Sequence, residues 1–448
     1  MKKFSPFKNF LKTSLPAAAD LASQTLMWTI EAIFIGKISA ASLAGHGLAI
    51  QVIVVFFAVL LTFIVGAGLI INHHLGAGEK YKANHIFGQA MMMGIIMAIA
   101  IALMWHFGAV HLFKIIKGGS SSAAQSAGEI YMRTVSYFAI FLVTNFVATG
   151  IVRAVGDTKY SMSVNLFINV LNVCLAPVLI FGLFGLPRLE VKGAALAVGI
   201  SHTVGFLFTF YLLRSRRLSV ILSFRELTRP KMSSFKNLFK KGIPTTIEQA
   251  SWATGQLVVM GYVGAIGVTA LTTHTIFMRI QNILSMVYLG FSLAAMSHMG
   301  RNLGAEDHDR AESSAHAAHW VMIMFVGILV ILMLAFSKIF ITVFTTDPAT
   351  IELGRKVVYL FALAQIPKAL NNVISGNLRG IGNLHWLMFN VMAFVLVFEI
   401  GLNYVSAFVL GWSLYGVWGI QTTDETIRFI MNYIKFIKGP WRGKPKHA

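Results

Sequence analysis

The chain has 448 residues, 56% of them hydrophobic and only 12% charged, with a formal net charge of +20. Ordinary soluble domains carry about 25% charged residues, so a mean hydropathy of +0.71 excludes a soluble globule. A single cysteine, Cys174, excludes a disulfide framework and a multi-thiolate metal site; lying in an apolar run, it is expected to pack.

The first residues, MKKFSPFKNFLK, hold no long apolar core followed by a small-residue cleavage site, so a cleaved signal peptide is not expected. FKNFLK and its later echo FKNLFK are expected to be short basic amphipathic helices on the inner membrane surface. A spanning helix needs about 20 apolar residues. Twelve candidates follow, near 14–36, 47–71, 88–110, 130–152, 161–184, 193–214, 243–264, 270–298, 317–344, 355–378, 385–410 and 413–436.

Cations cluster at three places: Lys2, Lys3, Lys8 and Lys12; the connection holding Arg214, Arg216, Arg217, Arg225, Arg229, Lys231, Lys236, Lys240 and Lys241; and Lys435, Lys438, Arg442, Lys444 and Lys446. The positive-inside rule makes all three cytoplasmic, which an even number of spans with both termini inside satisfies. Membrane topology thus explains the positive charge without nucleic acid.

The chain also repeats itself. Ser5–Pro16 (SPFKNFLKTSLP) returns as Ser233–Pro244 (SSFKNLFKKGIP), and the offset of 228 continues through Gly36/Gly264 and His46/His274. Asn145–Gly156 returns as Asn371–Gly382 at an offset of 226. The same order in both halves is a parallel duplication, a pattern of transporters that place their site between two bundles. The expected domains are a bundle over 1–213, a basic linker over 214–241 and a second bundle over 242–448. The low-complexity run at Gly118, Gly119, Ser120, Ser121 and Ser122 reads as a loop, and GAEDHDRAES from Gly304 as a solvated turn.

Intramembrane polar residues are costly and mark pathways or partners. In span 1, Pro16 is a candidate hinge, because a proline removes a helix hydrogen bond. Asp20 lies eleven residues before Glu31, on nearly the same face. Glu31 stands in the apolar run MWTIEAIFIG and its copy position is Val259, so the repeated fold does not require the acid. Asp20, by contrast, is matched by Glu248, which fits a scaffold role as well as a transport role. Arg153 and Arg379, each between glycines near a span end, read as interfacial anchors or ligand contacts. In span 5, Asn165, Asn169 and Asn172 line one helix face, available for interhelical bonds or for an ion site. Lys368 in span 10 and Glu399 in span 11 are candidates for a buried pair, and Asp424 with Arg428, beside Glu425, for a local one. His73 and His74 diverge as helix neighbours and are not expected to share a metal.

The ordered set of Pro16, EAIFIG at Glu31, LAG at Leu43, RAVGD at Arg153, NVCLAP at Asn172, KGAALA at Lys192, GIPTTIEQ at Gly242, LRGIG at Leu378, YGVW at Tyr415 and KGPW at Lys438 resembles the multidrug and toxic compound extrusion (MATE) family over essentially the whole chain. The resemblance implies an all-α polytopic membrane protein, twelve transmembrane helices in two pseudo-symmetric six-helix bundles around a central cleft. It also implies a non-enzymatic antiporter that exports amphipathic, often cationic drugs by alternating access.

By the same resemblance Glu31 occupies the span 1 coupling position and Asn172 belongs to the same site, with Asn169 beside it. Ala176, Trp252 and Lys368 stand where acids of the family's ion sites are found. A lone carboxylate beside amides suits a proton better than sodium. Asp20, Glu248, Asn165, Lys368 and Glu399 are the substrate or gating candidates. No cofactor or metal is expected, the partners are a drug-like small molecule and membrane lipid, and the protein is expected to be a monomer of a bacterial inner or plasma membrane. The rival readings are a lipid-linked precursor flippase of the same superfamily and, from another class, a membrane-embedded enzyme or receptor.

Overall fold

The computed structural model describes residues 5–115, 122–215, 217–223, 226–227 and 230–442. Lys2, Lys3, Gly118, Gly119, Ser120, Ser121, Arg216, Arg225, Arg229, Lys444 and Lys446, which the sequence places in loops or on the inner surface, lie outside the described residues.

Every long element among the described residues is a helix. In chain order these are α1 (Pro6–Gly36), α2 (Ala40–Gly76), α3 (Lys80–Ile115), α4 (Ser122–Ser136), α5 (Ala139–Ala154), α6 (Thr158–Phe181), α7 (Glu190–Arg214), α8 (Met232–Ile266), α9 (Val268–Gly304), α10 (His308–Ala335), α11 (Ser337–Thr342), α12 (Pro348–Ile381), α13 (Leu384–Phe394) and α14 (Ser413–Ile437). After α13 the same rod continues as π-helical turns over Val395–Leu402 and Val405–Val409.

Local chemistry sets the boundaries. Ser39 caps α2 by accepting the Ser42 N–H at 3.0 Å. Asp347 caps α12 by accepting the Thr350 N–H at 2.9 Å, Pro348 opens the first turn, and Gly382 closes the helix at φ 95°. The Thr350 hydroxyl and N–H hold the Asp347 carboxyl below the usual carboxylate range. In the turn read as solvated, Asp307 caps α10 through the Arg310 N–H at 3.0 Å.

Eight described helices are long and apolar enough to cross a membrane, and α4 with α5, bent by 72°, forms a ninth crossing if the pair is one span. The other three long helices, α1, α8 and α14, have 31, 35 and 25 residues and hold most of the intramembrane acids. Each is long enough to span, and between them they carry Asp20, Glu31, Glu248, Asp424 and Glu425.

By contacts the chain forms two units: residues 19–242 in one, and residues 1–18 with 243–448 in the other. FKNFLK and FKNLFK are therefore not separate surface helices, because each is the opening of a long rod. Pro16 and Pro244 lie inside α1 and α8 without ending them. Phe10 is fully buried against Phe291, with centroids 6.2 Å apart, and Phe239 packs edge-on against Phe63 at 4.6 Å. Phe10 is thus enclosed within its unit, whereas Phe239 keeps 40% of its surface exposed.

The connection after α7 is docked as well. Asp157 accepts the Ser219 N–H at 2.6 Å and its hydroxyl at 2.9 Å, and Asn84 accepts the Ile221 N–H at 2.9 Å. Cys174, expected to pack, is on an exposed face of α6. In the unit of 243–448, Phe277 stacks on Phe361 at 4.7 Å while Trp418 meets both edge-on, tying α9, α12 and α14 together.

Candidate functional site

Glu31 is the centre of the site in the unit of residues 19–242. Gly45 is where α2 touches α4: a Cβ there would stand 2.3 Å from the Ala124 carbonyl oxygen. That approach brings the following residue, His46, to Tyr131, their rings edge-on with centroids 4.9 Å apart. Both face Glu31, which is 1% exposed. The Tyr131 hydroxyl donates to Glu31 Oε1 at 2.8 Å, and His46 Nε2 stands 3.6 Å from the same oxygen. Glu31 Oε2 has no protein partner. A cavity of about 50 Å³ opens beside it, also bordered by Gln24, Asn145, Asn165 and His202. That volume admits a few waters, since one needs about 10–15 Å³.

Asp20 is placed differently. Its carboxylate accepts Arg153 Nη1 at 2.7 Å and Asn165 Nδ2 at 2.8 Å, the Gln24 amide at 3.3 Å, and the Ser161 hydroxyl. Fully enclosed and fully partnered, it holds α1 to α5 and α6. Arg153, 2% exposed, is thus a buried counter-charge and not an interfacial anchor. The amide row on α6 is divided. Asn165 serves Asp20 and Asn169 donates to Ser23 Oγ at 2.9 Å, both lining the cavity, whereas Asn172 is buried away from its wall with Nδ2 unpartnered.

The unit holding residues 243–448 repeats the scaffold. Arg379 Nη2 donates to Glu248 Oε1 at 2.5 Å and its Nη1 to Ser292 Oγ at 3.3 Å, so Arg379 too is a counter-charge. A backbone contact makes this possible: a Cβ on Gly376 would stand 2.2 Å from the Ser292 carbonyl oxygen. Beside the pair lies a cavity of about 220 Å³, walled by Glu248, Trp252, Lys368, Asn371, Glu425 and Arg428 among others.

Lys368 does not meet Glu399. Its Nζ is 3.8 Å from Glu425 Oε1, while Glu399, inside the π-helical stretch, accepts Gln256 Nε2 at 3.3 Å. Glu425 also accepts Asn371 Nδ2 at 2.9 Å, Asn371 in turn accepts Asn432 Nδ2 at 2.8 Å, and Trp386 donates to Asn432 at 2.8 Å. Arg428 bonds Asp424, as the four-residue spacing predicts, and lies 3.5 Å from Glu425.

The two cavities occupy equivalent places in the repeat. At the offset of 226, Leu142, Asn145 and Thr149 on one wall correspond to Lys368, Asn371 and Ser375 on the other; at 228, Gln24 corresponds to Trp252. The acid of one unit is a valine in the other, and the ammonium of the second is a leucine in the first.

Tyr131 and His46 are the residues that sequence reasoning missed. The match of His46 to His274 pointed to the histidine, but no local signal placed a tyrosine 100 residues away on the same carboxylate. His74 Nδ1 is 2.7 Å from Glu79, and among the described residues no group of three metal-ligating side chains converges.

The MatE family profile matches residues 16–178 and 244–405, one match in each half of the chain. A "Probable multidrug resistance protein NorM" of Thermotoga maritima is 27% identical, over 97% of this chain and 93% of its own length. "Uncharacterized transporter YisQ" of Bacillus subtilis is 26% identical, over 95% of this chain and 93% of its own length. Among solved structures, a MOP superfamily transporter from Pyrococcus furiosus superposes with a TM-score of 0.88 at 22% identity, covering 99% of this chain and 98% of that one. An outward-facing multidrug resistance MATE family transporter also gives 0.88 at 22%, covering 98% and 97%. These likenesses show the twelve-helix membrane fold.

Proposed function

The chain belongs to the MatE family, a family of multidrug efflux transporters and not of enzymes, and from that premise we propose that it is a proton-coupled antiporter exporting amphipathic small molecules from the cell. One observation supports the coupling role most directly: Glu31 is a buried carboxylate with one oxygen held by Tyr131 and the other unpartnered.

A carboxyl that is neutral in a dry pocket and ionised when it meets water or a cation can exchange a proton for a substrate. In the proposed cycle a proton arriving from outside is taken by the free oxygen of Glu31, with His46 Nε2, 3.6 Å from the other carboxylate oxygen, as a relay. Loss of the negative charge weakens the hold on substrate, which leaves. Release of the proton inward restores the carboxylate. Tyr131 keeps the group in one orientation through both states.

Protons fit this donor set better than a hard cation, which takes six or more oxygen ligands. Pro16, inside α1 near the boundary at residue 18, removes one helix hydrogen bond and lets the helix bend as access changes. Asp20 with Arg153, and Glu248 with Arg379, act in this reading as fixed struts of the two bundles, with both termini and the linker on the cytoplasmic side.

The test is exchange in proteoliposomes loaded with a fluorescent drug, driven by a pH jump or by a sodium jump. The pH jump drives export in the native protein, and Glu31→Gln abolishes it while still inserting and folding. Native exchange rates in Glu31→Gln, or a response to sodium alone, overturn the assignment.

A further inference from the structure

The cavity of about 220 Å³ in the unit of residues 243–448 holds a lysine whose environment is incomplete. Lys368 is 8% exposed and sits in the middle of α12. An ammonium has three N–H donors, yet the nearest carboxylate oxygen, on Glu425, is 3.8 Å away, beyond hydrogen-bond range. Glu425 does not need the lysine for its own bonding, because Asn371 donates to it and Arg428 is adjacent. The ion pair with Glu425 leaves the ammonium's N–H donors without a direct hydrogen bond, and a cation buried in a span is costly, so the acceptors come from whatever occupies the cavity.

The other cations on the wall are differently placed. Arg379 is engaged by Glu248 and Ser292, and Arg428 by Asp424 and Glu425. One ammonium with no direct hydrogen bond therefore faces the cavity beside two ion-paired guanidiniums, each with its Nε still unpartnered. The single ammonium head without a hydrogen bond suits a single negative charge. The rest of the wall includes Trp252, Met286, Leu289 and Val391, an apolar surface for a ring or short chain.

The geometry points to a binding site for an amphipathic carboxylate in this cavity, with the carboxylate on Lys368 Nζ and the apolar part against Trp252 and Leu289. It names a substrate class for the exporter proposed above, and in that respect rests on that reading. The acidic cavity at Glu31 and the ammonium cavity at Lys368 would then serve opposite charges, on equivalent surfaces of the two repeats.

Calorimetry on the full chain in detergent tests this without transport, so a failure here leaves the export reading standing and a failure of exchange leaves this one. The probes are 1-naphthylacetate and its neutral isostere 1-naphthylacetamide. The acid is expected to bind at least about tenfold more tightly than the amide. Lys368→Met removes that preference and Lys368→Arg keeps it, with melting temperatures and elution profiles reporting that both variants fold. The proposal falls if acid and amide bind alike to the native protein, if the acid shows no binding up to millimolar concentration, or if Lys368→Met retains the preference. Should Lys368→Met fail to fold, Lys368→Gln is read by the same criterion, and the acid-to-amide ratio of the native protein remains decisive.

Discussion

The cavity around Glu31 and the cavity around Lys368 are copies of one piece of architecture with opposite chemistry. Each is braced by an acid from the first helix of its repeat and an arginine from the equivalent of α5: Asp20 with Arg153, Glu248 with Arg379. Each carries an asparagine at the same register, Asn145 or Asn371, whose side-chain oxygen accepts a bond from the last long helix of its unit, through Thr209 at 2.6 Å or Asn432 at 2.8 Å. Against that constant background the charged positions trade places. Duplication preserves what holds helices together, and the charges that differ between copies are those the scaffold does not need.

The largest expected effect tests the shared part. Arg153→Met leaves Asp20 enclosed without its counter-charge, and breaking a buried pair costs ~3–5 kcal/mol. Arg379→Met should cost less, because the Glu248 pair is about 10% exposed where the Asp20 pair is at most 2%. Chemical unfolding in detergent, monitored by tryptophan fluorescence, gives both values. Equal losses, or a larger loss for Arg379→Met, would show that the two braces are not graded by enclosure.

Next comes the position where the copies diverge. Val259 is fully buried in an apolar cluster with Val263 and Ala270, so Val259→Glu places a carboxyl in apolar surroundings. The expected cost is about 1–3 kcal/mol, with no second coupled proton per exchange cycle. A gain in proton stoichiometry would mean that the valine copy retains a latent ion site after all.

The sequence made the divergence visible but not its surroundings. Glu31 stood out because a carboxylate in an apolar run is rare whatever it touches. The braces were also present as paired duplications, acid with acid and arginine with arginine, yet the flanking glycines of Arg153 and Arg379 suggested a membrane interface. The structure shows why those glycines are there: a Cβ on Gly376 would meet the Ser292 carbonyl and one on Gly150 the Ile64 side chain, while Gly156 and Gly382 end their helices at positive φ. Lys368 was legible as a mid-span cation, but its partner was not. The helix carrying Glu399 shifts to π-helical turns at Val395, which have i→i+5 bonds and a different number of residues per turn. Depth in the span suggested the pair but carries no information on facing, and Glu425 on α14, not Glu399, lies 3.8 Å from Lys368.

A third effect separates two buried tyrosines. Tyr131→Phe removes the donor to a carboxylate and should slow pH-driven exchange about tenfold, corresponding to ~1.4 kcal/mol. Tyr288 donates to Gln365 Oε1 at 3.1 Å, a neutral contact in the other unit. Tyr288→Phe is expected to lower stability slightly and leave the exchange rate within about twofold of native. If both substitutions slow exchange equally, the hydroxyl on Glu31 has no special part in coupling.

The smallest effect concerns a histidine kept at the same position in both copies. His46 has its Nε2 3.6 Å from Glu31, whereas His274 sits among aromatic side chains, 5.5 Å from the Trp418 ring, with Nδ1 unpartnered. Replacing a buried polar group that lacks a partner by an apolar one of similar shape is close to neutral. His274→Leu should therefore change the melting temperature by no more than a few degrees and leave exchange unaltered at every pH. His46→Leu leaves Tyr131 bonded to Glu31, so coupling survives, but it removes the imidazole 3.6 Å from the carboxylate and should change the shape of the pH–rate profile. The same residue in the same register then has a role in one copy and none in the other, set entirely by whether residue 31 or residue 259 is the acid. Identical pH profiles for the two variants would separate the histidine from the coupling step and leave Glu31 and Tyr131 to carry it alone.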